Sequence, residues 1–172
     1  MILDIVTYPD PRLKEACEPV GEITPEIRQL AADMLETMYA APGVGLAAPQ
    51  VGRNIRMIVM DDGAQEEQRR PRVLINPQLT LEGEKIVSKQ EGCLSVPFNY
   101  RADVTRYERV RLRARDLDGA EIDEVLTDFA AIIVQHECDH LDGLLFIDHI
   151  SRLRRSLYDT KIKKCLKRKS AG

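Results

Sequence analysis

The 172-residue chain predicts a single α+β domain in which small antiparallel or mixed β-sheets pack around a central helix carrying His136, Glu137 and His140. Three observations lead there. Stretches with helical spacing of apolar residues are interspersed with stretches of strand-like alternation. No internal repeat or low-complexity linker divides the chain. A composition of 44% hydrophobic and 31% charged residues is that of one globular domain with a core of ordinary size.

Thr24-Pro25-Glu26 opens the first helix, with Thr as N-cap, Pro at the first position and an acid in the first turn. Ile27, Leu30, Ala31, Met34, Leu35 and Met38 form its buried face, and Ala41-Pro42-Gly43 closes it. Residues 55–60 (Ile-Arg-Met-Ile-Val-Met) read as a strand, and residues 61–72 as a polar turn or loop. Val73-Leu74-Ile75 is a short strand stopped at Asn76-Pro77, because proline has no N–H for a ladder. Val110, Leu112 and Ala114 then alternate with Arg109, Arg111, Arg113 and Arg115, a half-buried strand with a basic outer face. Leu117-Asp118-Gly119 turns it into a second strand near Ile122 to Leu126, making a hairpin. The arginine row suggests RNA binding, but flanking acids make a solvated strand face the expectation. The central helix runs from Thr127 or Asp128 to Leu141, with Gly143 just past its end. Ser151 begins a last helix that docks through Tyr158, Ile162, Cys165 and Leu166 while its lysines face water.

Charge and targeting signals narrow the class. Residues 151–172 hold nine Lys and Arg against one acid, leaving sixteen basic and twenty-seven acidic residues in 1–150, a net charge of −11. An acidic body, 1–150, thus carries a basic C-terminal helix or tail, 151–172, which suggests an anionic partner. No apolar run approaches a membrane span, and the start lacks the basic and apolar regions of a signal peptide, so a cytoplasmic protein with no membrane partner is expected. Four cysteines (Cys17, Cys93, Cys138, Cys165) are too scattered for a disulfide framework; next to a metal-binding pattern, a thiol is a ligand candidate.

That pattern is His136-Glu137-Cys138-Asp139-His140, which uses two of the chain's three histidines. Residues four apart stack on one helix face, so both imidazoles can reach one metal ion, and Glu137 lies where it can take a proton from water. Phe129, Ile132 and Ile133 share the stripe and lead up to the ligands, mostly as core, with one edge as a pocket wall. Two histidines do not complete a site. His149 comes nine residues after His140 and beyond Gly143, which does not fit a downstream third ligand of the metzincin type. Cys93, in Glu91-Gly92-Cys93-Leu94-Ser95, is the alternative. A third segment, Gly43-Val44-Gly45-Leu46-Ala47-Ala48-Pro49-Gln50, offers a nearly bare backbone and an amide donor.

Taken together and in this order, G-V-G-L-A-A-P-Q, E-G-C-L-S and H-E-C-D-H resemble the peptide deformylases. The resemblance extends over roughly residues 1–150 and includes Tyr8-Pro9-Asp10-Pro11. It implies an enzyme that removes the formyl group from the N-terminal methionine of nascent polypeptides and releases formate. Cys93, His136 and His140 would hold one divalent metal, usually Fe²⁺, with Zn²⁺, Ni²⁺ or Co²⁺ able to occupy the site; Cys138 is not a ligand in the pattern. Glu137 would act as general base and acid, with the Gln50 side chain and the Leu94 backbone N–H stabilising the oxyanion. Val44, Phe129, Ile132 and Ile133 would receive the methionine side chain, and the Gly45 backbone would bind the peptide like an added strand. Glu91 and Arg106 are placed to pair in support of the ligands. The basic tail gains a plausible partner in ribosomal RNA. The rival readings are a zinc endopeptidase, which needs a third ligand downstream, and a non-catalytic ribosome-associated factor, which the intact ligand set opposes.

Overall fold

The computed structural model describes residues 1–64 and 67–171; residues 65 and 66 of the expected 61–72 loop lie outside the described residues. Five strands form one sheet in the order β1-β2-β3-β4-β5: Gly45–Ala47, Met57–Met60, Arg72–Glu91, Ala102–Arg115 and Glu121–Thr127. Every neighbouring pair is antiparallel, and the isolated bridge Glu18–Ile55 is parallel. Three α-helices accompany the sheet: α1 (Pro25–Ala40), α2 (Asp128–Leu141) and α3 (Arg152–Ala171).

The sheet is buried on both sides at β2, which explains its unbroken apolar run. Met57 and Val59 pack with Leu30, Met34 and Met38 of α1, while Ile58 and Met60 pack with Ala131, Val134 and Leu141 of α2. Each large side chain so enclosed stabilises the fold by about 1.5–3 kcal/mol relative to exposure. The ends of α1 are as expected: Thr24 Oγ1 accepts from the Ile27 N–H at 3.3 Å, and the Gly43 N–H donates to Met38 O at 2.7 Å. On β4 and β5 the arginine row is neutralised by acids and carbonyls. Arg111 makes two 2.9 Å bonds to Asp123, Arg109 pairs with Glu82 at 3.8 Å, and Arg115 donates to Val20 O and Gly21 O. This face is a paired strand surface and not a free cationic patch.

Two expectations are corrected. The strand at 73–75 does not stop at Asn76-Pro77 but continues to Glu91. A register shift between Ile75 and Gln78 places the proline in a bulge, and Asn76 adopts φ 52°. The Asn76 side chain anchors the bulge to the chain before α1: its Oδ1 accepts from the Val20 N–H at 2.8 Å and its Nδ2 donates to Val20 O at 2.7 Å. In α3, Tyr158 and Ile162 dock against Val6, Tyr8, Val104 and Phe146, but Leu166 is 47% exposed, because every residue from 166 to 171 lies beyond the body of the domain.

Candidate metal centre

The site begins at the junction of β5 and α2. Asp128 takes φ 54°, which lets the strand run straight into the helix and fixes its direction. At the other end Gly143, with φ 76°, closes the helix: the Leu144 N–H donates to Asp139 O at 2.9 Å, and a Cβ at residue 143 would sit 2.5 Å from Lys14 O. Between these ends, α2 presents His136 and His140 with ring centroids 5.2 Å apart.

Cys93 arrives from the far end of β3. A register shift between Ser88 and Glu91, with Gln90 at φ 52°, turns the otherwise exposed strand so that Glu91 points inward. The residues that follow are pinned: the Val96 N–H donates to Cys93 O at 3.0 Å, and the Tyr8 N–H to Ser95 O at 2.7 Å. As a result Cys93, His136 and His140 bring their ligand atoms within 4.8 Å of one another, with Cys93 Sγ 3.4 Å from His140 Nε2. His149 is not in the cluster.

The surroundings prepare these groups for a cation. His136 Nδ1 lies 3.0 Å from Glu91 Oε1; a carboxylate only accepts, so Nδ1 carries the proton and the Nε2 lone pair is left for a metal. Burial works against the Glu91 charge, yet the Arg106 guanidinium and His136 outweigh it and hold its pKa at about 2. Arg106 grips Glu91 with Nε at 3.0 Å and Nη2 at 2.8 Å. Burial drives the His140 pKa well below the ordinary imidazole value, so that ring is neutral, as a ligand must be. Burial also pushes the Cys138 thiol up, and Cys138 lies in the core cluster, away from the ligands.

Glu137 is 5% exposed, and burial raises its pKa to about 7. Its Oε2 has no hydrogen-bond partner among the described residues, a costly state for a buried carboxylate oxygen unless a ligand or water supplies one. Gly45 makes room for it: a Cβ there would lie 2.6 Å from Glu137 Oε1. We therefore expect Gly45→Ala to displace the carboxylate and lower kcat by about 10²-fold while the protein stays folded, as read by steady-state kinetics beside thermal unfolding.

A cleft of about 320 Å³ opens above these groups. Val44, Gly45, Gln50, Glu91, Cys93, Leu94, Phe129, Ile132, Ile133, His136 and Glu137 all line it, whereas His140 lies beneath at 1% exposure and Arg106 lies outside the cleft behind Glu91. Gln50 is held by the 3-10 turn Ala48–Val51; its Oε1 accepts from the Ala47 N–H at 2.9 Å, while Nε2 donates to Ser95 Oγ at 3.0 Å and reaches Cys93 Sγ at 3.5 Å. The Leu94 N–H has no protein acceptor among the described residues. Ile133 belongs mainly to the core at 3% exposure, whereas Phe129, 51% exposed, forms the rim. Ser95, Asp139 and the polar wall of Ser88, Gln90, Asn99 and Arg101 were not anticipated. Ser95 and Asp139 stand inside the motifs, and the wall residues carry no sequence signal beyond nearness to E-G-C-L-S.

The chain and its fold are similar to those of known proteins. The sequence pattern described as polypeptide deformylase matches residues 2–156. The peptide deformylase of Alkalilimnicola ehrlichii is 51% identical over 96% of this chain and 92% of its own length, and that of Hyphomonas neptunium 49% identical over 95% and 93%. Among solved structures, the peptide deformylase of Legionella pneumophila superimposes with a TM-score of 0.88 at 36% identity, covering 99% of this chain and 98% of that one. The Synechococcus elongatus enzyme in complex with actinonin superimposes with a TM-score of 0.86 at 40% identity, covering 94% and 88%.

Proposed function

The chain belongs to the polypeptide deformylase family, and from that premise we propose that Cys93, His136 and His140 hold a single divalent metal at the floor of its cleft. The chain is a hydrolase that removes the formyl group from N-formylmethionyl nascent peptides. The observation that carries the residue assignment is the convergence of one sulfur and two imidazoles, from segments 43 residues apart, within 4.8 Å. The donor set fits the ion. One sulfur and two imidazole nitrogens make three protein ligands, the number a catalytic site uses when it leaves a position for substrate or water. Fe²⁺ is the ion that the family resemblance favours, with Zn²⁺, Ni²⁺ and Co²⁺ as substitutes; a thiolate beside Fe²⁺ would make the site sensitive to oxidation.

When bound, the metal supplies Lewis acidity, lowering the pKa of a water and polarising the formyl oxygen. Glu137, through its unpartnered oxygen, takes the proton of the attacking water and afterwards gives it to the leaving amine. The Gln50 amide and the Leu94 N–H donate to the oxygen that gains charge, each donor of this kind typically contributing about 2.7–4 kcal/mol. The methionine side chain lies against Val44, Phe129, Ile132 and Ile133. Gly45 stands on β1, one of the two edge strands of the sheet, so its backbone can take the peptide as an added strand.

The endopeptidase reading is not favoured: the third group of the cluster lies upstream, in Cys93, and no downstream His, Asp or Glu joins it among the described residues. With the metal-loaded protein and formyl-Met-Ala-Ser we expect stoichiometric formate and no cleavage of internal peptide bonds; peptide cleavage without formate would refute the assignment.

Residues 1–150 form the catalytic unit in this reading, and 151–172 a basic tail that touches ribosomal RNA in the cytoplasm. In support, Lys163, Lys164 and Lys167 are exposed and pair with no acid among the described residues, and no described helix is long and apolar enough to cross a membrane. Truncation after Ile150 would remove Tyr158 and Ile162 from the core, so charge reversal is the cleaner test. The triple substitution of these lysines by Glu should abolish co-sedimentation with ribosomes and leave formate release intact; unchanged co-sedimentation would refute the contact.

A further inference from the structure

Of the three histidines, His149 takes no part in the ligand cluster, yet it ends a continuous polar chain that starts at the metal centre. Glu91 Oε1 lies 3.0 Å from His136 Nδ1; Arg106 holds Glu91 through Nε and Nη2; the third arm of the same guanidinium, Nη1, donates to Asp139 Oδ2 at 2.7 Å; and His149 Nε2 meets that same Oδ2 at 2.9 Å. Glu91 and Arg106 are enclosed, with side chains 7% and 4% exposed, and exposure then rises outward to 21% at Asp139 and 36% at His149. Its outer end lines a second cleft of about 500 Å³ on the other side of α2, with Arg56, Gln135 and Asp142.

We propose that His149 is a positioning residue for the metal centre, acting through Asp139, Arg106 and Glu91 on the imidazole of His136. One buried guanidinium faces two carboxylates, and each carboxylate also needs a donor from its other side. His136 serves Glu91, and His149 serves Asp139. Since a carboxylate only accepts, His149 presents Nε2–H, and this bond fixes the Asp139 oxygen that Arg106 uses. With that oxygen fixed, the guanidinium lies flat against Glu91 in a two-point grip, and Glu91 holds the ring of His136. Without His149, Asp139 is free to draw Arg106 out of that grip, and the ligand ring loses its restraint.

The inference rests on Cys93, His136 and His140 being the metal ligands, and the test separates the two. Wild type, His149→Ala and His149→Gln are loaded with Co²⁺; stoichiometry, visible spectrum and the rate of metal release to EDTA are recorded, with thermal unfolding of the metal-free forms. Direct partners of metal ligands typically matter 10–100-fold; one link further out we expect His149→Ala to release metal roughly 3–10-fold faster, with a shifted cobalt spectrum. kcat for formyl-Met-Ala-Ser should fall by a similar factor while KM holds. Glutamine places an amide N–H near the imidazole Nε2 position, so His149→Gln should return release and spectrum to within about twofold of wild type. In an Asp139→Asn background, His149→Ala should add nothing further. Release and spectrum unchanged in His149→Ala, or His149→Gln as impaired as His149→Ala, would overturn this role alone. A wild-type chain that takes up no cobalt would overturn the ligand assignment and this inference with it.

Discussion

Glu137→Gln should bind one metal per chain and turn over formyl-Met-Ala-Ser at least about 10²–10⁴-fold more slowly than wild type, the range that a positioned general base contributes. The change is close to isosteric, so the helix and its ligands are undisturbed, but an amide cannot take a proton from water. The environment of the carboxylate makes this a sharp test. It is enclosed by Gly45 on one side, burial lifts its pKa to about 7, and Oε2 has no protein partner among the described residues. A structural carboxylate would be paired, as Glu91 and Asp139 are, and its loss would destabilise the fold. Removal of an unpaired buried charge should leave the unfolding midpoint of the metal-free protein at or above that of wild type. Metal content and kcat measured together decide the matter; wild-type kcat in the variant would exclude the general-base role.

Cys93→Ala carries the second large effect. It deletes the only sulfur in the cluster and leaves His136 and His140, two ligands from one helix, which cannot hold the ion alone. Metal affinity should fall by more than the roughly 10–100-fold that follows loss of a mere supporting partner, and formate release should vanish with it. Cys138→Ser is the control. Cys138 stands beside Glu137 in sequence but is buried in the core, with its thiol pKa pushed up, so its replacement should cost stability and not metal. Competitive metal titration of both variants reads the difference directly. Full metal stoichiometry at wild-type affinity in Cys93→Ala would remove this residue from the ligand set.

The features legible in the sequence are those written in neighbouring residues. The cap at Thr24, the apolar face of α1, the span of α2 with Gly143 after it and the hairpin of β4 and β5 follow from short-range periodicity and turn chemistry. Other features were hidden for a definite reason. Pro77 ends a strand by every local rule, yet β3 passes through it as a bulge, pairing with β4 again from Gln78, with the Asn76 side chain anchored on Val20, fifty-six residues away. The exposed residues 83–87 carry no apolar alternation facing a core; only pairing with β4 makes them strand. Leu166 has the spacing to dock, but the body of the domain does not extend beneath it.

By itself the sequence determined that one helix bears two imidazoles four residues apart with a carboxylate beside the first, since helical geometry alone stacks such residues. It also supplied the three motifs by which the family is recognised. Tertiary structure alone decided that the bulge at Gln90 turns Glu91 inward, that Cys93 meets α2, and that Arg106, Asp139 and His149 line up behind His136. Those meetings depend on strand register and on packing between segments tens of residues apart, and register shifted by one residue would send each of these β-strand side chains to the opposite face.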